Sequence, residues 1–449
     1  MEEKGSLVAL GTENVWRLLM QYAIPSVIAM TAASLYNMTD SIFIGQGVGA
    51  LAISGLAITF PLMNLAAAFG SLVGVGAATL MSLRLGQKDY SGANAILGNV
   101  FSLTLIFGIA YTIMVLIFLD PILYFFGASP ATISYAREYM QVITAGNVIT
   151  HMYLGLNALL RATGRPKKAM YLTIFSVIIN AVISWLFIFI FKWGIRGAAL
   201  GTVIAQASML VWQVSLFSDK ENFIHLQPGI FRLQRRIVTD SLTIGLAPFL
   251  MNTAGCILVI ILNKSLIRYG GDLEVGAYGI VNRVAFLFGM MVMGVNMGMQ
   301  PIAGYNFGAR QFDRVNRVLK YTIFIAVVIL SVGFIVSELL PRAVASLFTR
   351  DKNLINMVEP GLRIVFVFAP LVGFQIVTSN FFQSIGMVRK AILLSLSRQV
   401  LILLPCLLIL PRFFGLKGVW YSLPAADLVA CVIAAFLLVN QYRKFNIVQ

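Results

Sequence analysis

Two acids fall inside otherwise apolar runs, and their settings decide what chemistry this sequence can do. Asp40 stands beside Tyr36, Asn37 and Thr39, about one helical turn before the far flank of the first apolar run. A carboxylate near the middle of a bilayer costs at least about 2.5–3.5 kcal/mol, so it is kept with a partner, a wet cavity or a function. The bland alternative is an aspartate that caps the helix or anchors at the head groups; an ion-linked role is favoured over it. Asp427 follows Pro424, where a bend is expected, and Arg398 or Arg283 can neutralise it. For Asp427 a structural ion pair is favoured over a second coupling site, because paired charges are the common solution in lipid. Gln300, Asn306 and Gln383 are expected to line the same cavity, whereas His151 reads as a hydrogen-bonded packing residue.

Other chemistries find little support. Cys256, Cys406 and Cys431 lie in apolar segments without metal-ligand spacing, so no disulfide framework, zinc site or other metal site is expected. Two histidines, His151 and His225, are too few for the clustered groups of a membrane-embedded enzyme. No glycine-rich loop ends in Gly-Lys-Ser or Gly-Lys-Thr, so energy must come from an ion gradient, and a proton or sodium ion replaces any cofactor. The run FGMMVMGVNMGM places soft, adaptable methionines in the eighth apolar segment, a weak sign of a broad substrate range.

The elements that must position these residues are membrane helices. The chain has 449 residues, 59% hydrophobic and 11% charged, with a mean hydropathy of +0.88. Apolar stretches, each able to cross roughly 30 Å of hydrocarbon, run over 16–44, 51–82, 94–119, 132–159, 169–191 and 195–217, then 240–267, 276–306, 318–340, 355–383, 391–411 and 417–440. A bend is expected at Pro25, which lacks the N–H of a regular helix and could act as a hinge for Asp40. The start MEEKGSLVALGTEN is polar and acidic, unlike a cleavable signal.

A net charge of +16 would suggest nucleic acid for a soluble protein, but here the basic residues crowd alternate short loops, among them Arg84, Lys88, Arg161, Arg165, Lys167, Lys168, Arg310 and Arg314. The link from Phe217 to Ile237 adds Lys220, Arg232, Arg235 and Arg236 on the same side, where it reads as a tether that touches anionic lipid. The expectation is a multi-pass protein of the cytoplasmic (inner) membrane, monomeric, with both termini cytoplasmic. The bilayer and small organic molecules are its partners, and nucleic acid is not.

Polar and glycine landmarks also repeat. Gly76 and Gly86 answer Gly298 and Gly308, and Gly164 in LLRATGRPKKA answers Gly386 in FFQSIGMVRKA, each pair 222 residues apart. Ile24-Pro25 answers Ala247-Pro248, and Asp40 answers Asn263, so the charge sits in one copy alone. A constant offset argues for a duplicated six-helix bundle. Six being even, both copies share one orientation, as in parallel-repeat carriers with a cavity between lobes. The expected fold is an all-α integral membrane protein with twelve transmembrane helices in two pseudo-symmetric six-helix bundles: lobe 1–217, linker 218–239 and lobe 240–449.

The runs YAIPSVIAMTAASLYNMTDSIFIGQGVGALAISG, GVGAATLMSLRLGQKDY, LLRATGRPKKA, INAVISWLFIF, GMQPIAGYNFGAR and FFQSIGMVRKA, in this order, resemble the multidrug and toxic compound extrusion family over nearly the whole chain. The resemblance implies cation-coupled export of organic, often cationic compounds by alternating access. It also implies a cation site in the first lobe: Asp40 with Asn180 on helix 5, Thr202 on helix 6 and Asn157 on helix 4. Many members add an aspartate four residues after the asparagine, and here that position is Ser184. With one carboxylate fewer, the site suits a proton better than a hard cation, although Asn180, Ser184, Thr202 and Asn157 leave sodium as the alternative. Tyr36, Asn37, Asn263, Gln300, Gln383 and Asp427 are the expected substrate-cavity residues. A lipid-linked oligosaccharide flippase of the same superfamily is the rival reading, and its extra helices and strongly basic cavity are not evident.

Overall fold

The computed structural model describes residues 2–348 and 351–448; the side chains of residues 2–6, 35, 37, 38, 50, 272 and 444–448 lie outside that description. The described chain is helical, with no strand. In order, the helices are α1 (Glu2–Thr12), α2 (Val15–Gly47), α3 (Ala50–Gly86), α4 (Tyr90–Ile117), α5 (Leu119–Phe125), α6 (Ile133–Ala145), α7 (Asn147–Ala162), α8 (Pro166–Trp185) and α9 (Gly194–Ser218). After the linker come α10 (Arg235–Gly270), α11 (Asp272–Gly308), α12 (Phe312–Leu339), α13 (Pro341–Ser346), α14 (Lys352–Phe366), α15 (Ala369–Ser384), α16 (Val388–Leu396), α17 (Leu404–Phe414) and α18 (Leu416–Val448). One π-helical turn, Leu186–Ile190, extends α8, and another, Ser397–Leu403, joins α16 to α17.

Ten of the described helical runs are long and apolar enough to cross a membrane. The pair α14 and α15, bent by 52°, makes an eleventh, and α6 with α7 holds the equivalent, twelfth position in the other copy of the repeat. The spans expected over 132–159 and 355–383 are therefore each broken. The first break falls at Gly146, where the backbone turns to φ −82° and ψ 0° and packs closely on α9: an added Cβ would come within 2.4 Å of Val203 Cγ2. Between α14 and α15 the reason is Pro370, which cannot donate to the preceding turn but fits the start of the next helix.

The repeat is visible in the backbone itself. Helices α11, α12, α13, α15, α16 and α18 begin 222 residues after α3, α4, α5, α7, α8 and α9. Positive φ recurs with the same offset at Lys88 (61°) and Arg310 (58°), and at Gly164 (86°) and Gly386 (74°). Even an ion pair recurs, with its charges exchanged: Arg137 binds Asp120 at 2.7 Å, and Arg342 binds Glu359 at 2.6 Å.

The chain forms two compact units, one of Met1–Glu13, Ile28–Asn252 and Gly304–Arg310, the other of Asn14–Val27, Thr253–Ala303 and Gln311–Gln449. The long helices α2, α10 and α11 thus contribute to both. Within the first unit, α3 packs on α7 and α4, and α8 on α9; within the second, α12 packs on α15, and α17 on α18. Lipid-embedded helices associate where small residues let backbones meet. Accordingly a Cβ on Gly76 would lie 2.0 Å from the Ser241 carbonyl oxygen in the first unit, and one on Gly298 2.6 Å from the Ala23 nitrogen in the second.

The linker is strapped to α4 by side chains that imitate a neighbouring strand. Asn94 donates to the Phe223 carbonyl (3.0 Å) and accepts from the His225 N–H (2.9 Å); Asn99 donates to Arg232 O (3.3 Å) and accepts from Gln234 N–H (3.0 Å). Ser102 adds a bond to Phe231 O at 2.7 Å, and Tyr90 stacks on Phe223.

Candidate functional site

In the first unit, α2, α8 and α9 bring together five of the residues expected from the sequence. Tyr36 and Asp40 sit one turn apart on α2, so they share a face. Asn180 and Ser184 do the same on α8, and both are buried, as is Thr202 on α9. The Tyr36 hydroxyl lies 2.7 Å from Thr202 Oγ1, and Asn180 Nδ2 donates to the same oxygen at 3.1 Å. Thr202 in turn donates to the Ala198 carbonyl at 3.3 Å, so its oxygen is fully engaged.

Asp40 is 5% exposed, with Ser184 beside its carboxyl. Yet Asp40 Oδ1 and Ser184 Oγ are both buried without a hydrogen-bond partner. No basic side chain among the described residues pairs with Asp40. Tyr139, buried on α6, lies within electrostatic reach of Asp40 and Tyr36. Sequence reasoning missed it, because a tyrosine in an amphipathic stretch carries no signal of its own.

Asn157 is placed elsewhere. Its amide donates to Ala169 O (3.1 Å) and Thr173 Oγ1 (3.5 Å) and accepts from Arg161. Ala169 and Thr173 precede Asn180 by eleven and seven residues on α8, about 16 and 10 Å along the axis, so Asn157 belongs to another depth of the bundle. The equivalent contact in the second unit is Ser379 to Ser395 at 3.0 Å, again with the 222 offset, which marks it as part of the repeated scaffold.

In the second unit Arg398 Nε donates to Asp427 Oδ1 at 2.5 Å. Asn263 and Gln300 are half-buried on α10 and α11; Gln383 is buried one residue before the C-terminal end of α15, whereas Asp427 lies eleven residues into α18. Asn306, expected in the cavity, instead donates to Leu10 O at 2.9 Å within the first unit. The side chain of Asn37 lies outside the described residues. His151 Nε2 meets Ala66 O at 2.8 Å, a packing role. A third buried acid, Glu274, accepts from Trp420 Nε1 at 3.3 Å. It escaped notice because the eighth span was read as starting at 276, which left Glu274 in a loop. Among the described residues no group of three or more His, Cys, Asp or Glu could hold a metal ion.

These helices, their duplication and the acid at the heart of one copy define an integral membrane protein of the six-plus-six helix class. The MatE family model matches residues 25–186 and again 245–408, one copy per half, and the chain belongs to that family. It is 28% identical over 433 residues to the multidrug export protein MepA of Staphylococcus aureus, covering 96% of this chain and 94% of that one. MepA of Staphylococcus haemolyticus is 26% identical over 434 residues, covering 97% and 95%. A solved structure of an outward-facing multidrug resistance MATE transporter of the MOP superfamily superposes with a TM-score of 0.92 at 26% identity, covering 98% of each chain.

Proposed function

We propose that this protein exports small organic compounds, amphipathic and often cationic, across the cytoplasmic membrane in exchange for protons that bind at Asp40. The observation that carries the coupling is the buried, unpartnered Oδ1 of Asp40, with no basic side chain paired to it among the described residues. An uncompensated carboxylate in a low-dielectric interior costs several kcal/mol, and a proton removes that charge. The protonated acid gains a donor, and the unpartnered Ser184 oxygen is there to accept it. Loss of the proton restores a charge that Tyr36, Asn180 and Thr202 must reorganise around, and this links proton release to a change of packing.

Sodium fits the same residues less well. Hard cations gather about six or more oxygen ligands. Here Asp40 Oδ1 and Ser184 Oγ are the unpartnered oxygens, while Thr202 Oγ1 is already engaged three times. The export of organic compounds rests on the family and on the MepA relatives. Tyr36, Asn263 and Gln300 are assigned to substrate contact, Asp427 to holding Arg398 at the cavity, and Pro25 to the hinge of α2. The protein works as a monomer with its linker and termini in the cytoplasm, where its positive loops belong.

The test is Asp40→Asn, which keeps size and hydrogen bonding but cannot titrate. In cells stripped of their own pumps, resistance to diverse toxic compounds should fall to the empty-vector level while membrane-inserted protein stays within about twofold. Resistance equal to the unmodified protein would remove Asp40 from the mechanism.

A further inference from the structure

The second unit holds a charge pair whose exposed member has donors left over. Arg398 lies ten residues past the start of α16, about 15 Å along the axis, and Asp427 eleven residues past the start of α18, about 16 Å from the opposite end. In a hydrocarbon layer of roughly 30 Å both therefore sit near the midplane. Their burial is unequal: the Asp427 side chain is 4% exposed, that of Arg398 33%. That figure covers the whole side chain, stem included, but the two Nη amino groups themselves keep accessible surface, and a charged group turned to lipid at that depth carries a large cost, so they face a polar, hydrated space.

The single hydrogen bond from Arg398 to Asp427 uses Nε. Nη1 and Nη2 take no hydrogen-bond partner among the described residues. With its inner edge pinned by the acid, the planar group presents these amino groups as a fixed fork, the geometry that grips a carboxylate with two parallel bonds. The local backbone is unusual too: Arg398 lies in the π-helical turn Ser397–Leu403, a distortion that is often found at functional sites. Its neighbour Gln399 carries a buried Oε1 without a partner, an acceptor suited to an N–H donor.

From this geometry we infer that Arg398, positioned by Asp427, is a receptor for the carboxylate of zwitterionic substrates. Overall neutrality of the ligand follows from the pair. Arg398 and Asp427 cancel, so a bare anion would leave a net negative charge in a low-dielectric site, whereas a molecule bearing both a carboxylate and an amine leaves none. The favoured substrate class is an amphipathic amino acid-like organic compound: an aromatic or aliphatic body carrying one carboxylate and one basic amine. This inference rests on the proposed export of organic compounds and names one class among them.

Binding to the purified full-length protein in detergent tests it. The probes are a fluorescent naphthoate with a dimethylaminoalkyl arm and its methyl ester, which lacks the carboxylate. Arg398→Gln alone strands Asp427, so the decisive variant is the double change R398Q/D427N, which keeps a hydrogen bond and leaves no lone charge. The ratio of acid to ester affinity should fall at least tenfold in R398Q/D427N. In R398K, where a point charge replaces the fork, it should fall less. An unchanged ratio in the double variant overturns the inference, as does a ratio in R398K that matches the unmodified protein. Export of the acid by cells carrying the unmodified protein reports separately on the export function: its absence, with the acid-to-ester ratio behaving as stated, would count against export and not against the carboxylate receptor.

Discussion

The same six-helix scaffold carries its buried charge in two opposite ways. In the first unit Asp40 stands among neutral hydroxyl and amide groups, and one of its oxygens has no partner. In the second, Asp427 is held at 2.5 Å by Arg398. The duplication kept six helix starts in register to the residue, yet neither acid has an acidic counterpart at the 222 offset. An uncompensated acid can be neutralised and recharged by a proton, so it can do work. A compensated acid is locked by its partner, and what varies is whatever the partner's free edge can hold. On the proposed function, unequal charge on equal scaffolds separates ion coupling from substrate recognition.

Breaking the compensated pair should have the largest effect on stability. Arg398→Ala leaves Asp427 buried without its cation, and removal of one partner from a buried pair costs about 3–5 kcal/mol. The purified variant should unfold at a clearly lower temperature, whereas R398Q/D427N should stay within about 1 kcal/mol of the unmodified protein because a neutral hydrogen bond remains. Equal stability of all three proteins would mean that Asp427 is not locked, and the contrast between the units would vanish.

Pro25 sharpens the contrast from the side of motion. It lies on α2 two residues before the stretch assigned to the second unit ends at Val27, fifteen residues ahead of Asp40. A regular helical residue there restores a backbone donor and stiffens the turn. Pro25→Ala is expected to lower the transport rate about tenfold, equivalent to about 1.4 kcal/mol of barrier, with little change in the amount of protein. Transport and membrane-inserted protein falling together would assign the proline to folding.

The smallest effect concerns a feature that the first unit has through its linker. Asn99→Ala removes two bonds to the linker backbone, each worth about 0.5–1.5 kcal/mol. Limited proteolysis should then cut within 219–234 several-fold faster, with transport retained. Cleavage at the original rate would show that Asn94, Ser102 and the aromatic contacts suffice.

Much of this was legible in the sequence because glycine, proline and intramembrane acids are rare enough to act as landmarks. Gly76 and Gly298 announced the repeat because helix crossings in lipid need the missing Cβ. Asn180 and Ser184 were placed on one face by their spacing, and Thr202 joined them by resemblance to the family. What stayed hidden depends on tertiary neighbours. The close packing at Gly146, where the span breaks, is against Val203, fifty-seven residues away. Asn94 and Asn99 look like ordinary polar residues near a helix start until the linker lies across them. The bonds of Asn157, whose family role was carried over by motif, go to Ala169, Thr173 and Arg161, neighbours that a motif does not show.

The most direct test of the account is transport by proteoliposomes in sodium-free buffer, with a pH gradient imposed and the membrane potential clamped. Each proton moved down an equivalent of 100 mV supplies about 2.3 kcal/mol, enough to concentrate a monovalent substrate about fiftyfold. The unmodified protein should drive uphill movement of an organic cation that collapses when the pH gradient is abolished, is little changed by added sodium, and is absent in Asp40→Asn. Strict dependence on sodium, or uphill transport by Asp40→Asn, would contradict it.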